Sequence, residues 1–117
     1  MKKLKIDPQQ YRRFTRGQLW TERAQNQKKY YDDLRILAKM AGVTFLDGIF
    51  NAVFRVKMPK SWPNKKKAEM IGKPHLSTPD LDNFVKSTLD AICVNDSHVY
   101  KITAEKFWSD QGCIEIY

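Results

Sequence analysis

Pro79-Asp80-Leu81-Asp82-Asn83-Phe84-Val85-Lys86-Ser87-Thr88-Leu89-Asp90-Ala91-Ile92 is the stretch around which the rest of the chain is arranged. Leu81, Phe84, Val85, Thr88, Leu89 and Ile92 fall on one continuous stripe at helical spacing. A helix with such a stripe needs a sheet to cover it. Thr78-Pro79 marks its start, because proline suits a first turn and biases the residue before it toward extended backbone. The opposite face is polar. At about 100° per residue, Lys86 lies about 40° and Asp90 about 80° from Asp82, so the three share that face. Asp80, if helical, would lie about 160° from Asp82. The two carboxylates converge only if Asp80 sits at or before the N-cap, a place aspartate favours in any case.

Working toward the N-terminus, residues 59–78 have no period and hold Pro59, Pro63, Pro74, Gly72, Trp62 and the run Lys65-Lys66-Lys67. A connection of that length is functional or disordered; its charge and its Trp favour a nucleic-acid contact, against a solvated loop. Ile49 to Met58 alternates, with Phe50, Ala52, Phe54, Val56 and Met58 on one face, and Pro59 ends this half-buried strand. Thr21-Glu22 opens a helix from about residue 22 to 41, with Tyr30, Tyr31, Leu34, Leu37, Ala38 and Ala41 at helical spacing and Gly42 as the stop. Tyr11 to Trp20 is basic and aromatic, and Lys3 to Ile6 forms a short first strand. Toward the C-terminus, Asn95-Asp96-Ser97 is a turn. Val99–Trp108 and Cys113–Tyr117 are strands around Ser109-Asp110-Gln111-Gly112, which predicts a terminal hairpin. The expected class is α/β (α+β): a small mixed β-sheet with two main helices packed on it, in the order β-α-β-loop-α-β-β.

The 117 residues fit a single domain, and 42% hydrophobic content supplies a core. Residues 1–74 hold 18 Lys/Arg and 6 Asp/Glu, whereas residues 75–117 hold 3 and 7. A basic surface around an acidic patch, net +8 overall, predicts a polyanionic partner and fits a metal-dependent nuclease. Cys93 and Cys113 have no metal-ligand spacing, so zinc is not expected; Cys93 reads as a buried thiol. No signal peptide or membrane span is visible, which gives a cytoplasmic expectation and no membrane partner.

The acidic patch has two readings. In one, Asp80 caps the helix, Asp82 complements its dipole, and Lys86 pairs with Asp82 or Asp90. In the other, Asp96 returns to the same pole of the sheet, and the clustered carboxylates hold a hard cation between protein and phosphate. Oxygen-only ligands favour Mg²⁺ or Mn²⁺. Lys86 then acts on the phosphate, and Asp90 is its partner rather than a ligand. His75 and His98 read as loop or turn residues.

The block Asp80-Leu81-Asp82-Asn83-Phe84-Val85-Lys86-Ser87-Thr88-Leu89-Asp90-Ala91-Ile92, followed by Asn95-Asp96, resembles the RusA family of Holliday-junction resolvases, whose pattern is D-[LIV]-D-N-x-x-K-x-x-x-D-A-[LI] and then [ND]-D before a strand. The strand ending in Met58-Pro59 and the lysine-rich loop to Lys73 also look like phage-type members. The resemblance implies a Mg²⁺-dependent endonuclease, with Mn²⁺ as a substitute, that works as a homodimer and nicks four-way DNA junctions in pairs. It implies that Asp80, Asp82 and Asp96 bind metal and that Lys86 is catalytic. Arg12, Arg13, Arg16, Lys65, Lys66, Lys67 and Lys73 are the candidate phosphate contacts, and Trp62 or Phe14 a candidate stacking platform. Two rivals stand beside this reading: a metal nuclease of other branched or single-stranded DNA, and a non-catalytic module that binds branched DNA.

Overall fold

The computed structural model describes residues 1–44, 47–93 and 95–117, with Asp96 described by its backbone alone. Strand β1 (Lys2–Leu4), helix α1 (Glu22–Ala41), strand β2 (Ile49–Lys57), helix α2 (Asn64–Met70), helix α3 (Leu81–Ile92), strand β3 (Lys101–Ser109) and strand β4 (Cys113–Ile116) follow in that order. The α+β class and the element order expected from the sequence hold, with one added short helix.

Helix α1 is bounded as its sequence predicts. The Thr21 hydroxyl accepts a hydrogen bond from the Ala24 N–H, and Gly42 ends the helix at φ 71°, a left-handed value that glycine adopts without steric cost. Lys2 Nζ then donates to the carbonyls of Ala41 and Gly42 at 2.7 and 2.8 Å. A cation therefore sits where the helix dipole is negative and ties β1 to the end of α1.

The sheet has the order β1-β4-β2-β3. Strand β3 runs parallel to β2, whereas β4 is antiparallel to both β2 and β1. The expected terminal hairpin is thus not formed: β2 lies between β3 and β4. Parallel pairing needs a long crossover, and the segment holding α2 and α3 supplies one, so β3 takes one side of β2. The other side is left to β4, where Ile114 and Ile116 are buried beside Phe54 and Ala52. Ser109–Gly112 spans the end of β2 and is anchored there by a bond from the Met58 N–H to the Ser109 carbonyl.

One face of β2 carries Phe50, Ala52 and Phe54, all buried, as the alternation predicted. Helices α1 and α3 cover it: Leu34, Phe84, Leu89 and Ala91 join Leu4 and Ile114 in the core, and the ring of Phe84 stacks on Phe54 at 5.3 Å. The buried face of α3 is wider than the predicted stripe, because Ser87, which lies outside it, is also fully buried. Thr88 satisfies its hydroxyl on the Phe84 carbonyl.

Two smaller expectations are corrected. Residues 59–78 are not a featureless loop, because Pro63 stands in extended backbone as the N-cap of α2. Seven residues are too few to show a helical period. Cys93 is only half-buried, since it is the residue that caps α3; Cys113, in the central β4, is the buried thiol.

Candidate active site

The site starts at the N-terminal pole of α3. Asp80 is the N-cap, with extended backbone (φ −66°, ψ 151°). It therefore escapes the helical geometry that would turn it away from Asp82, which lies in the first turn. The Asp80 carbonyl accepts from the N–H groups of Asn83 and Phe84, but among the described residues its carboxylate makes no capping bond. Both Asp80 and Asp82 are exposed. Two exposed aspartates therefore stand at one helix end. The capping role that would give Asp80 a purely structural purpose is not realised by its side chain.

One turn up, Lys86 Nζ lies 3.3 Å from an Asp90 carboxylate oxygen. Of the two partners its spacing allowed, the ion pair with Asp90 forms. The pair is half-exposed and contributes only about 0.5 kcal/mol to stability; its consequence is orientation. The ammonium also lies 5.4 Å from the centre of the Tyr11 ring. Beside Asp90, burial and then the Asp90 charge push the Tyr31 hydroxyl well above its ordinary range, so it stays protonated.

Tyr11 reaches α3 because residues 9–12 form a strap between the two main helices. The Gln9 N–H donates to the Tyr30 hydroxyl, and the Gln9 carbonyl accepts from Ser87 Oγ at 2.6 Å. The Tyr11 N–H donates to the Asn83 carbonyl, while the Gln27 amide bonds both the N–H and the carbonyl of Arg12. Burial holds the Tyr30 phenol up to about 12, so it remains a neutral partner for the strap.

The run into Asp80 has its own tether. Lys106, on the helix-covered face of β3 opposite Phe54, donates to the carbonyls of Ser77 and Pro79 at 2.7 and 2.8 Å. We expect Lys106→Met to lower activity by up to about 10²-fold, the cost of a misplacement near 1 Å. Circular dichroism should remain native, and Lys106→Arg should recover part of the loss. Unchanged turnover in Lys106→Met would remove this positioning role.

The backbone of Asp96 opens the 3-10 turn Asp96–His98 after α3, and its side chain lies outside the described residues. Among the described residues no three of His, Cys, Asp and Glu are grouped to hold a metal ion. Asp80 and Asp82 are the two carboxylates that the described structure places at this pole.

The family model for endodeoxyribonuclease RusA matches residues 4–117, nearly the whole chain. The chain belongs to the RusA family. No curated protein and no solved structure matched it. The RusA match spans every element of the fold, from Leu4 in β1 to the residue after β4. As a RusA-family chain it is grouped with endonucleases that act on DNA, and among the described residues no helix is long and apolar enough to cross a membrane.

The basic residues expected to touch phosphate are dispersed over this RusA fold. Arg12 belongs to the strap, and Arg13 and Arg16 follow it in exposed positions. Lys65, Lys66 and Lys67 lie on α2, and Lys73 is exposed beyond it. Trp62 is already engaged, with its ring 4.8 Å from Trp108 and Lys66 Nζ 4.2 Å above it. It is a pillar under α2 more than a platform for a base. Phe14 is half-buried.

His75 lies in the connection between α2 and α3, the loop position expected, but it is buried there. Its ring lies 4.2 Å from Trp108, and among the described residues its buried Nδ1 has no partner. Burial, and then the nearby Lys106 charge, lowers its pKa from the ordinary 6.5. The unfolded chain therefore takes up this proton first as pH falls, so stability is full above about pH 6.5 and declines below it. Urea unfolding at pH 7.5 and 5.5 should show that decline, and His75→Gln should shrink it. His98, in the turn as expected, approaches the Asn95 amide at 3.3 Å. No spacing or motif marked Lys106, Ser87 or Tyr11 as neighbours of the site.

Proposed function

We propose that this chain is a Mg²⁺-dependent endonuclease that resolves four-way DNA junctions by paired nicks, acting as a homodimer. The observation that carries the reading is Asp80 at the N-cap of α3, extended and without a capping bond, next to Asp82 and below the Lys86–Asp90 pair, in a RusA-family chain.

The donor set fits the cation. Asp80 and Asp82 offer only hard oxygen ligands, suited to Mg²⁺ with Mn²⁺ as substitute, and Asp96 is the proposed third carboxylate. When bound, the cation's contribution is to polarise the scissile phosphate and lower the pKa of the attacking water. The protein does the rest. Asp80 and Asp82 fix where the phosphate backbone meets the helix end. Lys86 offsets the negative charge that grows on the phosphate, and Asp90 and the Tyr11 ring hold its ammonium in place. Arg12, Arg13, Arg16, Lys65, Lys66, Lys67 and Lys73 grip the arms by charge, which makes binding steeply salt-dependent. A four-way junction has two-fold symmetry, so a two-fold dimer presents one site to each of two opposed strands.

A substrate panel tests this. A labelled four-way junction, a replication fork, a flap and a linear duplex are incubated with the wild type in Mg²⁺, and the cut strands are mapped. The proposal expects nicks at matching positions on opposed strands of the junction and none on the duplex. Equal cutting of fork and flap would replace junction resolution by general branch cleavage. Junction binding without nicks would leave a DNA-binding module.

A further inference from the structure

A groove of about 370 Å³ lies beside the opening of α3, bounded by the strap on one side and α1 on the other, and it reaches Pro79, the residue before Asp80. Arg12 and Arg23 line it, together with the amides of Gln10, Asn26 and Gln27. Helical spacing puts Arg23, Asn26 and Gln27 on one face of α1. The Gln27 amide is spent on the Arg12 backbone, which fixes the strap at that point. No carboxylate lines the groove, and among the described residues the guanidiniums of Arg12 and Arg23 form no ion pair. The larger groove on the far side of the sheet differs, because Asp7, Asp110 and Glu115 face its cations and Glu115 is already paired with Arg55.

Two guanidiniums without a counter-charge, lining one groove, set up a positive potential suited to a single anion. Their planar donor forks match a phosphate. Gln10 and Asn26 add a donor and an acceptor each, the complement of a base edge. The volume is within the range of small-ligand sites. We propose that this groove seats one nucleotide of the strand being cut, with its phosphate on Arg12 and Arg23 and its base edge on the amides of Gln10 and Asn26. The inference rests on the nuclease reading of the adjoining Asp80, and it makes Arg23 and Asn26 determinants of where the strand lies.

The test is binding, read without metal so that it does not depend on cleavage. Junctions are assembled with a single uncharged methylphosphonate moved along each strand, and Kd is measured in EDTA for wild type and Arg23→Ala. Arg23 is exposed, so its removal leaves the fold intact. The groove predicts that Arg23→Ala weakens binding about tenfold and lowers the salt slope by about 1. It also predicts that the loss vanishes when the methylphosphonate occupies one particular position, and that Asn26→Ala relaxes base preference at that same nucleotide. A loss of equal size at every position, or no loss, overturns the inference. A protein that shows the Arg23-dependent position but cuts no DNA keeps the groove and loses the nuclease reading. One that cuts normally with Arg23→Ala binding unaltered keeps the nuclease reading and loses the groove.

Discussion

Asp82→Asn is expected to abolish DNA cleavage and to leave junction binding unchanged or tighter. The substitution keeps the shape of the side chain and removes a charge from the exposed first turn of α3. If that charge only complemented the helix dipole, its loss would cost less than about 1 kcal/mol of stability and nothing in activity. If it holds the cation, the rate falls by about 10³-fold or more, equal to roughly 4 kcal/mol of transition-state stabilisation. Binding is spared because a carboxylate next to phosphate repels it, and the amide does not. Asp80→Asn should behave alike. Gel cleavage assays and melting curves of the same preparations separate the two readings. Cleavage within a few-fold of wild type would end the catalytic assignment of that carboxylate.

Phe84→Ala is expected to destabilise the protein by about 3–5 kcal/mol, the usual cost of emptying a buried aromatic site. Phe84 is fully buried, stacks on Phe54 and lies in the same helix turn as Lys86. For a chain of this size the melting temperature should fall by roughly 12–20 °C. Phe84 also carries the carbonyl to which Ser87 and Thr88 donate, so loss of its packing loosens the strap contact as well. Thermal unfolding followed by circular dichroism measures the effect. A shift of only a few degrees would mean that α3 is not docked on β2 through this residue.

The two long helices were legible because their signals are local. Thr21 and Gly42 bound α1, and the stripe from Leu81 to Ile92 runs the length of α3. Sheet order was not legible. Cys113–Ile116 can pair with β3 through a four-residue turn or cross the end of β2, and only packing of Ile114 and Ile116 into the centre decides between them. Helix α2 was hidden because seven lysine-rich residues show no period. The wheel geometry made a place outside the helix the condition for Asp80 to meet Asp82, Pro79 favoured it, and the structure has Asp80 at the N-cap. The Lys86–Asp90 pair was one of two that the spacing allowed. Lys106 and the 9–12 strap were invisible, because their bonds run to backbone carbonyls far away in the chain, and carbonyls carry no sequence signature.

The claim that the pole of α3 works through a divalent cation is tested most directly by following nicking of a labelled four-way junction while Mg²⁺ is titrated, with EDTA and Ca²⁺ as parallel arms. A cation-dependent site gives no nicks in EDTA, binding without turnover when Ca²⁺ replaces Mg²⁺, and paired nicks that rise to saturation with Mg²⁺. Nicking at full rate in EDTA would contradict it.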